Sequence, residues 1–215
     1  MLNVEALHVT LQQSFSPDAS LRGPAEETIR NLKHVAGSTV MLLQVAAEHQ
    51  VQYEVRQAAS IQLKNICREC WVKRESVMGY TPTEQPPVLS DEDKETVKKA
   101  LVEALLAEHE KSIRDLMAET LHNITIHDFP DKWPALVPTL LGTISLYSDA
   151  SKTLSVHNAL LALRKVCKRY EYKSREQRGP LNEIVEKAFP MLLPLAQQLS
   201  DPNQHTLEAA MMLKQ

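Results

Sequence analysis

Residues 55–71, Val-Arg-Gln-Ala-Ala-Ser-Ile-Gln-Leu-Lys-Asn-Ile-Cys-Arg-Glu-Cys-Trp, restrict most tightly what this chain can fold into. Stepping about 100° per residue, Val55, Ala58, Ala59, Leu63, Ile66 and Cys70 fall on one arc of a helix. Gln57, Ser60, Lys64 and Arg68 fall opposite, with Ile61 among them and Asn65 at the edge. Such a helix buries one side and offers the other to a partner. The same layout returns further along, so the sequence reads as a helical repeat protein that binds another protein.

Composition narrows the alternatives. Aromatic residues make up 5% and only five of the 215 residues are glycine, which argues against sandwiches, barrels and glycine-loop nucleotide folds. A net charge of −3 lacks the basic surplus of a nucleic-acid binder, so no nucleic-acid partner is expected. There is no run of about 18 apolar residues and no apolar leader after Met1, so no membrane insertion is expected. Three cysteines do not make a disulfide framework, which points to the cytosol, the nucleus or both.

Helix pairs recur with a period of roughly 40 residues, the spacing of HEAT-type solenoids. The first pair is expected at about 2–15 and 18–34, parted by Ser16-Pro17-Asp18 with Asp18 as N-cap. The second is expected at about 38–49 and 53–73, followed by a loop over 74–89 that carries Gly79, Pro82, Pro86 and Pro87. Ser90-Asp91-Glu92-Asp93 then opens the third pair, 91–107 and 110–127, as a capping box with its acids at the positive end of the helix dipole. Val97, Leu101 and Leu105 supply the core stripe of its first helix. Ile113, Leu116, Met117, Leu121 and Ile124 supply that of its second.

Pro130 disfavours α backbone at Phe129 and so ends that helix, and Pro134 can open the next at about 134–147. Helices at about 151–172, 178–199 and 203–215 complete the series. Most of Pro130, Pro134, Pro180, Pro190, Pro194 and Pro202 are expected near helix starts or just past helix ends, where proline is tolerated. The repeats are thus 1–36, 37–89, 90–132, 133–177 and an incomplete 178–215. The last stops at Met211-Met212-Leu213-Lys214-Gln215 without the polar cap a solenoid end needs, so a piece of a longer array is expected.

Several segments, in order along nearly the whole chain, resemble the amino-terminal region of the importin-β (karyopherin-β) superfamily. They are Pro24-Ala25-Glu26-Glu27, the Val55–Trp71 helix with Leu63-Lys64-Asn65, Ser90–Lys94, His127–Trp133, Lys168–Lys173 and Arg178-Gly179-Pro180-Leu181. Tyr170-Glu171-Tyr172-Lys173 and the Asp128–Trp133 turn look most like the branch containing importin seven and importin eight. Gly23-Pro24 departs from the family, which keeps a helix former there. Either the second helix starts later, with Pro24 in its first turn, or it is kinked.

The resemblance implies an all-α, right-handed solenoid of HEAT hairpins, the first repeats of a nuclear transport receptor shuttling between cytoplasm and nucleus. Such repeats bind the GTPase Ran in its GTP state along a concave face made by the second helix of each pair, in opposition to protein cargo. Phe-Gly nucleoporins are expected mainly on later repeats. The alternatives are an export receptor of the same superfamily and a HEAT scaffold without Ran binding. No enzyme is expected, since no nucleophile, base or phosphate loop clusters, and no cofactor or metal.

The Ran-facing candidates are Gln57, Ile61, Lys64, Asn65 and Arg68 on the second pair, and Asp115, Glu119, His122 and Asn123 on the third. A second group comprises Glu27, Arg30 and Asn31 in the first pair and His157, Arg164 and Lys168 in the fourth. Against these stands the ordinary fate of such residues, a solvated helix face, with Lys111 and Asp115 paired four residues apart. Trp71 is expected to pack at the start of the loop rather than touch a partner. Cys67 and Cys70 are expected to pack, because a zinc site needs about four ligands and no second pair stands nearby. Asp128 is expected to bond the free backbone donors of the next helix.

Overall fold

The computed structural model describes residues 2–73, 85–200 and 206–215. Among them are ten α-helices and no strand: α1 (Val4–Gln13), α2 (Ala19–Asn31), α3 (Ser38–Ala47), α4 (Tyr53–Cys70), α5 (Asp91–Ala107), α6 (Lys111–Asp128), α7 (Leu136–Ile144), α8 (Thr153–Lys168), α9 (Gly179–Leu199) and α10 (Leu207–Leu213). α1, α2, α5 and α10 start where a side chain satisfies a free backbone donor. Asp18 accepts from Ser20 N at 2.8 Å and Ser90 from Asp93 N at 3.1 Å.

Asp93 does not return its carboxylate to Ser90. It accepts instead from the backbone N of Gly37 at 3.1 Å, so one acid joins the starts of α5 and α3. Gly37 sits at φ 73°, left-handed backbone that a residue with Cβ adopts only under strain. At the far end of α6, Phe129 turns extended (φ −91°, ψ 138°) ahead of Pro130.

Several boundaries and positions differ from the sequence reading. Pro24 lies in the second turn of α2, which begins at Ala19, so it does not open the helix. Pro190 and Pro194 lie inside α9, not at its ends; their missing N–H groups are tolerated within a helix held by its packed face. α7 begins at Leu136, two residues after Pro134. α4 ends at Cys70, and α8 gives way to a turn after Lys168. Of the expected 74–89 loop, residues 74–84 lie outside the described residues, as does Pro202. The segment returns to α4 where Leu89 N donates to Cys70 O at 2.9 Å.

One continuous core runs through the helix pairs. α3 packs on both α4 and α5, α4 packs on α6 and α6 on α8, while α5 and α7 both pack on α8. Leu63, Leu101, Leu105, Ile113, Met117, Leu121 and Ile124 are fully buried, each contributing about 1.5–3 kcal/mol of transfer free energy. Trp71 is 1% exposed and belongs to this core. Ser60, on the polar arc by periodicity, is buried as well; its hydroxyl donates back to Arg56 O at 2.9 Å.

Charged groups cross the core at two places. Arg56, 4% exposed, pairs with the buried carboxylate of Glu108 and donates through Nε to Ala46 O at 2.9 Å. Glu108 also accepts from Glu110 N at 2.7 Å. Asn158 Nδ2 donates to the carbonyls of Leu105 and Glu108 at 2.9 and 3.0 Å. This polar chain ties α3, α4, α8 and the end of α5 together. At the second place, buried Lys98 holds Asp128 at 3.3 Å, Glu95 at 2.6 Å and the carbonyl of Lys132 at 2.8 Å. Asp128 thus serves a lysine of α5, not the backbone donors of the next helix.

Candidate functional site

The second helices of the pairs line up α4, α6, α8 and α10 around a groove of about 750 Å³. Helical spacing decides what faces it. α4 contributes Gln57, Ile61 and Lys64, four and three residues apart. α6 contributes Lys111, Asp115 and Glu119 at intervals of four, with Ser112, Arg114 and Leu116 beside them. α8 contributes His157, Leu161, Arg164 and Lys168, with Lys165 alongside. α10 adds Met211, and Lys214 and Gln215 follow it. Two lining residues are joined through Tyr53, whose hydroxyl donates to Ser112 Oγ at 3.0 Å and accepts from Gln57 Nε2 at 2.9 Å.

The groove is basic although the chain is not. Seven Lys or Arg side chains line it against two carboxylates, in a protein of net charge −3. Both carboxylates are engaged by lysines: Asp115 by Lys111 at 2.6 Å, four residues back on the same helix, and Glu119 by Lys165 of α8. Burial pushes the Glu119 carboxyl up, but the Lys165 hydrogen bond and the charges of Lys165, His122 and Lys168 outweigh it and hold the group below its ordinary value. His157 is held below the ordinary histidine range by burial first and by the charge of Arg114 second, so its ring is neutral near pH 7.

Eight of the sequence candidates meet in this groove: Gln57, Ile61, Lys64, Asp115, Glu119, His157, Arg164 and Lys168. The others do not line it. Arg68 is exposed beyond the groove, 3.6 Å from Glu69, and Asn65 is half-buried on its border. His122 turns to α8, where its Nδ1–H donates to the Lys165 carbonyl at 3.0 Å. Asn123 is half-buried on the same helix. Glu27, Arg30 and Asn31 bond among themselves on α2, which packs on α1 outside the groove. Leu116, read as core, lines the groove half-buried. Sequence reasoning missed Arg114, Lys165 and the α10 wall.

Cys67 and Cys70 are buried, neither in a disulfide, and burial followed by the neighbouring Cys70 raises the Cys67 thiol far above its ordinary value. Among the described residues no group of three His, Cys, Asp or Glu side chains is placed to hold a metal ion, and no helix is long and apolar enough to cross a membrane.

Residues 25–107 match the family model described as the importin-beta N-terminal domain. The chain is similar to importin-8 of Danio rerio, 34% identical over 182 residues that make up 85% of this chain and 17% of that protein. Two solved structures share the fold. The exportin Cse1 in its cargo-free, cytoplasmic state matches with a TM-score of 0.78 at 20% identity, over 97% of this chain and 22% of that one. Kap95p, in a structure described as inducing the switch loops of RanGDP to adopt the GTP-bound conformation, matches with a TM-score of 0.62 at 16% identity, over 98% of this chain and 22% of that one. The chain therefore spans 17–22% of the length of these three proteins.

Proposed function

The chain belongs to the importin-β superfamily, in its importin-8/importin-7 branch, and from that premise we propose that the groove between α4, α6, α8 and α10 docks Ran in its GTP state. The observation that carries this reading is the basic groove itself. Seven cationic side chains are gathered on the second helices of the pairs, while the molecule as a whole is acidic. Concentrated charge of one sign steers a complementary surface and fixes its register. Ile61 and Leu161 add apolar area among those charges, as a protein partner requires.

Reading the nucleotide state needs no catalytic group. The γ-phosphate and its Mg²⁺ order the switch loops of a GTPase, so a surface shaped for the ordered loops binds one state and not the other. In this reading the five repeats 1–36, 37–89, 90–132, 133–177 and 178–215 are the Ran-sensing portion of an import receptor. Protein cargo and Phe-Gly nucleoporins bind the receptor as a whole, which shuttles between cytoplasm and nucleus. Ran binding and cargo binding then oppose one another as a coupling free energy between two sites.

Calorimetric titration with Ran locked in each nucleotide state tests the proposal. The expected result is a preference for the GTP form that weakens with Lys64→Ala and more with Arg164→Glu, which reverses a charge. Equal binding of both forms, or none by a folded sample, would leave a HEAT scaffold without nucleotide dependence.

A further inference from the structure

Among the described residues Arg114 is the one buried cation of the groove, 6% exposed, and no described carboxylate is paired with it. Its Nε–H is enclosed and has no acceptor. The two carboxylates of the groove are held by Lys111 and Lys165. Beside it stands His157, 8% exposed, whose ring is neutral or cationic and so supplies no negative charge. A guanidinium taken from water without a partner destabilises the fold that holds it. Its place is what gives it a use. Arg114, His157 and Met211 line both the basic groove and a second groove of about 840 Å³ between α6, α8, α9 and α10. The side chain therefore stands at the saddle where the two grooves meet. The second groove is lined on its far side by hydroxyls such as those of Ser148, Ser151 and Thr153, and no carboxylate lines it among the described residues.

We propose that Arg114 is a recognition subsite for a carboxylate side chain carried by an extended acidic segment of a partner protein, which runs from the basic groove over the saddle into the second groove. The planar guanidinium takes the two oxygens of an Asp or Glu in a bidentate pair through its two terminal nitrogens, which are not enclosed as Nε is. A peptide fits better than a free anion, because two confluent grooves accommodate a chain and the apolar side chains of Leu161 and Met211 flank the saddle. The basic rim, Lys64, Arg164, Lys168 and Lys214, attracts the segment, and Arg114 fixes its register. The inference rests on the groove being a protein-docking surface, not on which protein docks.

The test titrates the chain with a fluorescein-labelled hexaglutamate peptide, without Ran, and reads anisotropy at low and moderate salt. Binding is expected to weaken about tenfold or more with Arg114→Met, the range of a lost hydrogen bond to a charged group. Lys64→Ala should weaken it about threefold or less, as for an exposed charge. Arg114→Lys, which keeps the charge, should also lose several-fold. In the unsubstituted chain the Arg114 Nε–H resonance should shift as peptide is added, a readout that no folding defect can imitate. Equal losses for Lys64→Ala and Arg114→Met, an unmoved Nε–H resonance, no binding at low salt, or full displacement by millimolar inorganic phosphate would each overturn the subsite. Nucleotide-selective Ran binding that persists alongside such a failure would leave the groove's proposed function standing.

Discussion

Two arginines are buried among the described residues of this solenoid, and they are treated in opposite ways. Arg56 enters the core from α4 with its charge answered by Glu108 and its Nε–H by the Ala46 carbonyl. Arg114 enters from α6, one repeat along, and meets a neutral histidine and no acid among the described residues. Desolvation costs both of them several kcal/mol, and only the first recovers it within the fold. A paired buried charge belongs to the architecture, whereas an unpaired one is held ready for something outside it.

Breaking the first pair should have the largest effect. Glu108→Gln or Arg56→Met leaves an uncompensated buried charge and should lower the free energy of unfolding by about 3–5 kcal/mol in urea titrations followed by circular dichroism. A loss below about 1 kcal/mol would put the two arginines in one class. Asn158→Leu removes the donor that caps the Leu105 and Glu108 carbonyls and should cost about 1–3 kcal/mol by the same measurement. Arg114→Met should change stability by no more than about 0.5 kcal/mol, or raise it, since the charge it deletes has no partner to strand.

A comparably small effect sharpens the comparison from the groove side. Glu119 has its folded pKa below the ordinary value, so its pairing with Lys165 contributes stability above the unfolded value. That contribution is lost as pH falls from the ordinary glutamate range through the lower folded value. The carboxylate is 42% exposed, so solvent screening holds the effect to under about 1 kcal/mol. Stability against pH for the parent chain and Glu119→Gln should differ only by a shallow acid-side slope.

Most of the helical frame was legible in the sequence, because a 3.6-residue period and side-chain caps are local signals. Asp18, Ser90 and the Phe129-Pro130 turn all act within a few residues of themselves. What stayed hidden depends on partners far along the chain. Lys98 reads as a solvated lysine until Asp128 arrives 30 positions later, and Arg56 until Glu108 arrives 52 positions later. A signal did exist for both arginines. Each stands inside an apolar stripe, Arg56 three and seven residues before Ala59 and Leu63, Arg114 three and seven before Met117 and Leu121. A charge in that position has to be buried, and periodicity alone does not say whether it is paired. The α2 candidates failed to reach the groove for a packing reason, since α2 lies against α1 and local bonds absorb Glu27, Arg30 and Asn31.

Lys165 is used twice, and the two uses divide the labour of the groove. Its ammonium neutralises Glu119, which sets local charge. Its backbone carbonyl receives His122, which holds α6 against α8 and so sets the width. A carbonyl is present whatever residue occupies the position. Replacement of this lysine by a glutamine or an acid would therefore redraw the electrostatic profile of the wall without prising the two helices apart. Partner preference and groove shape can drift separately here, which lets one scaffold acquire new clients by single substitutions while its curvature is inherited unchanged.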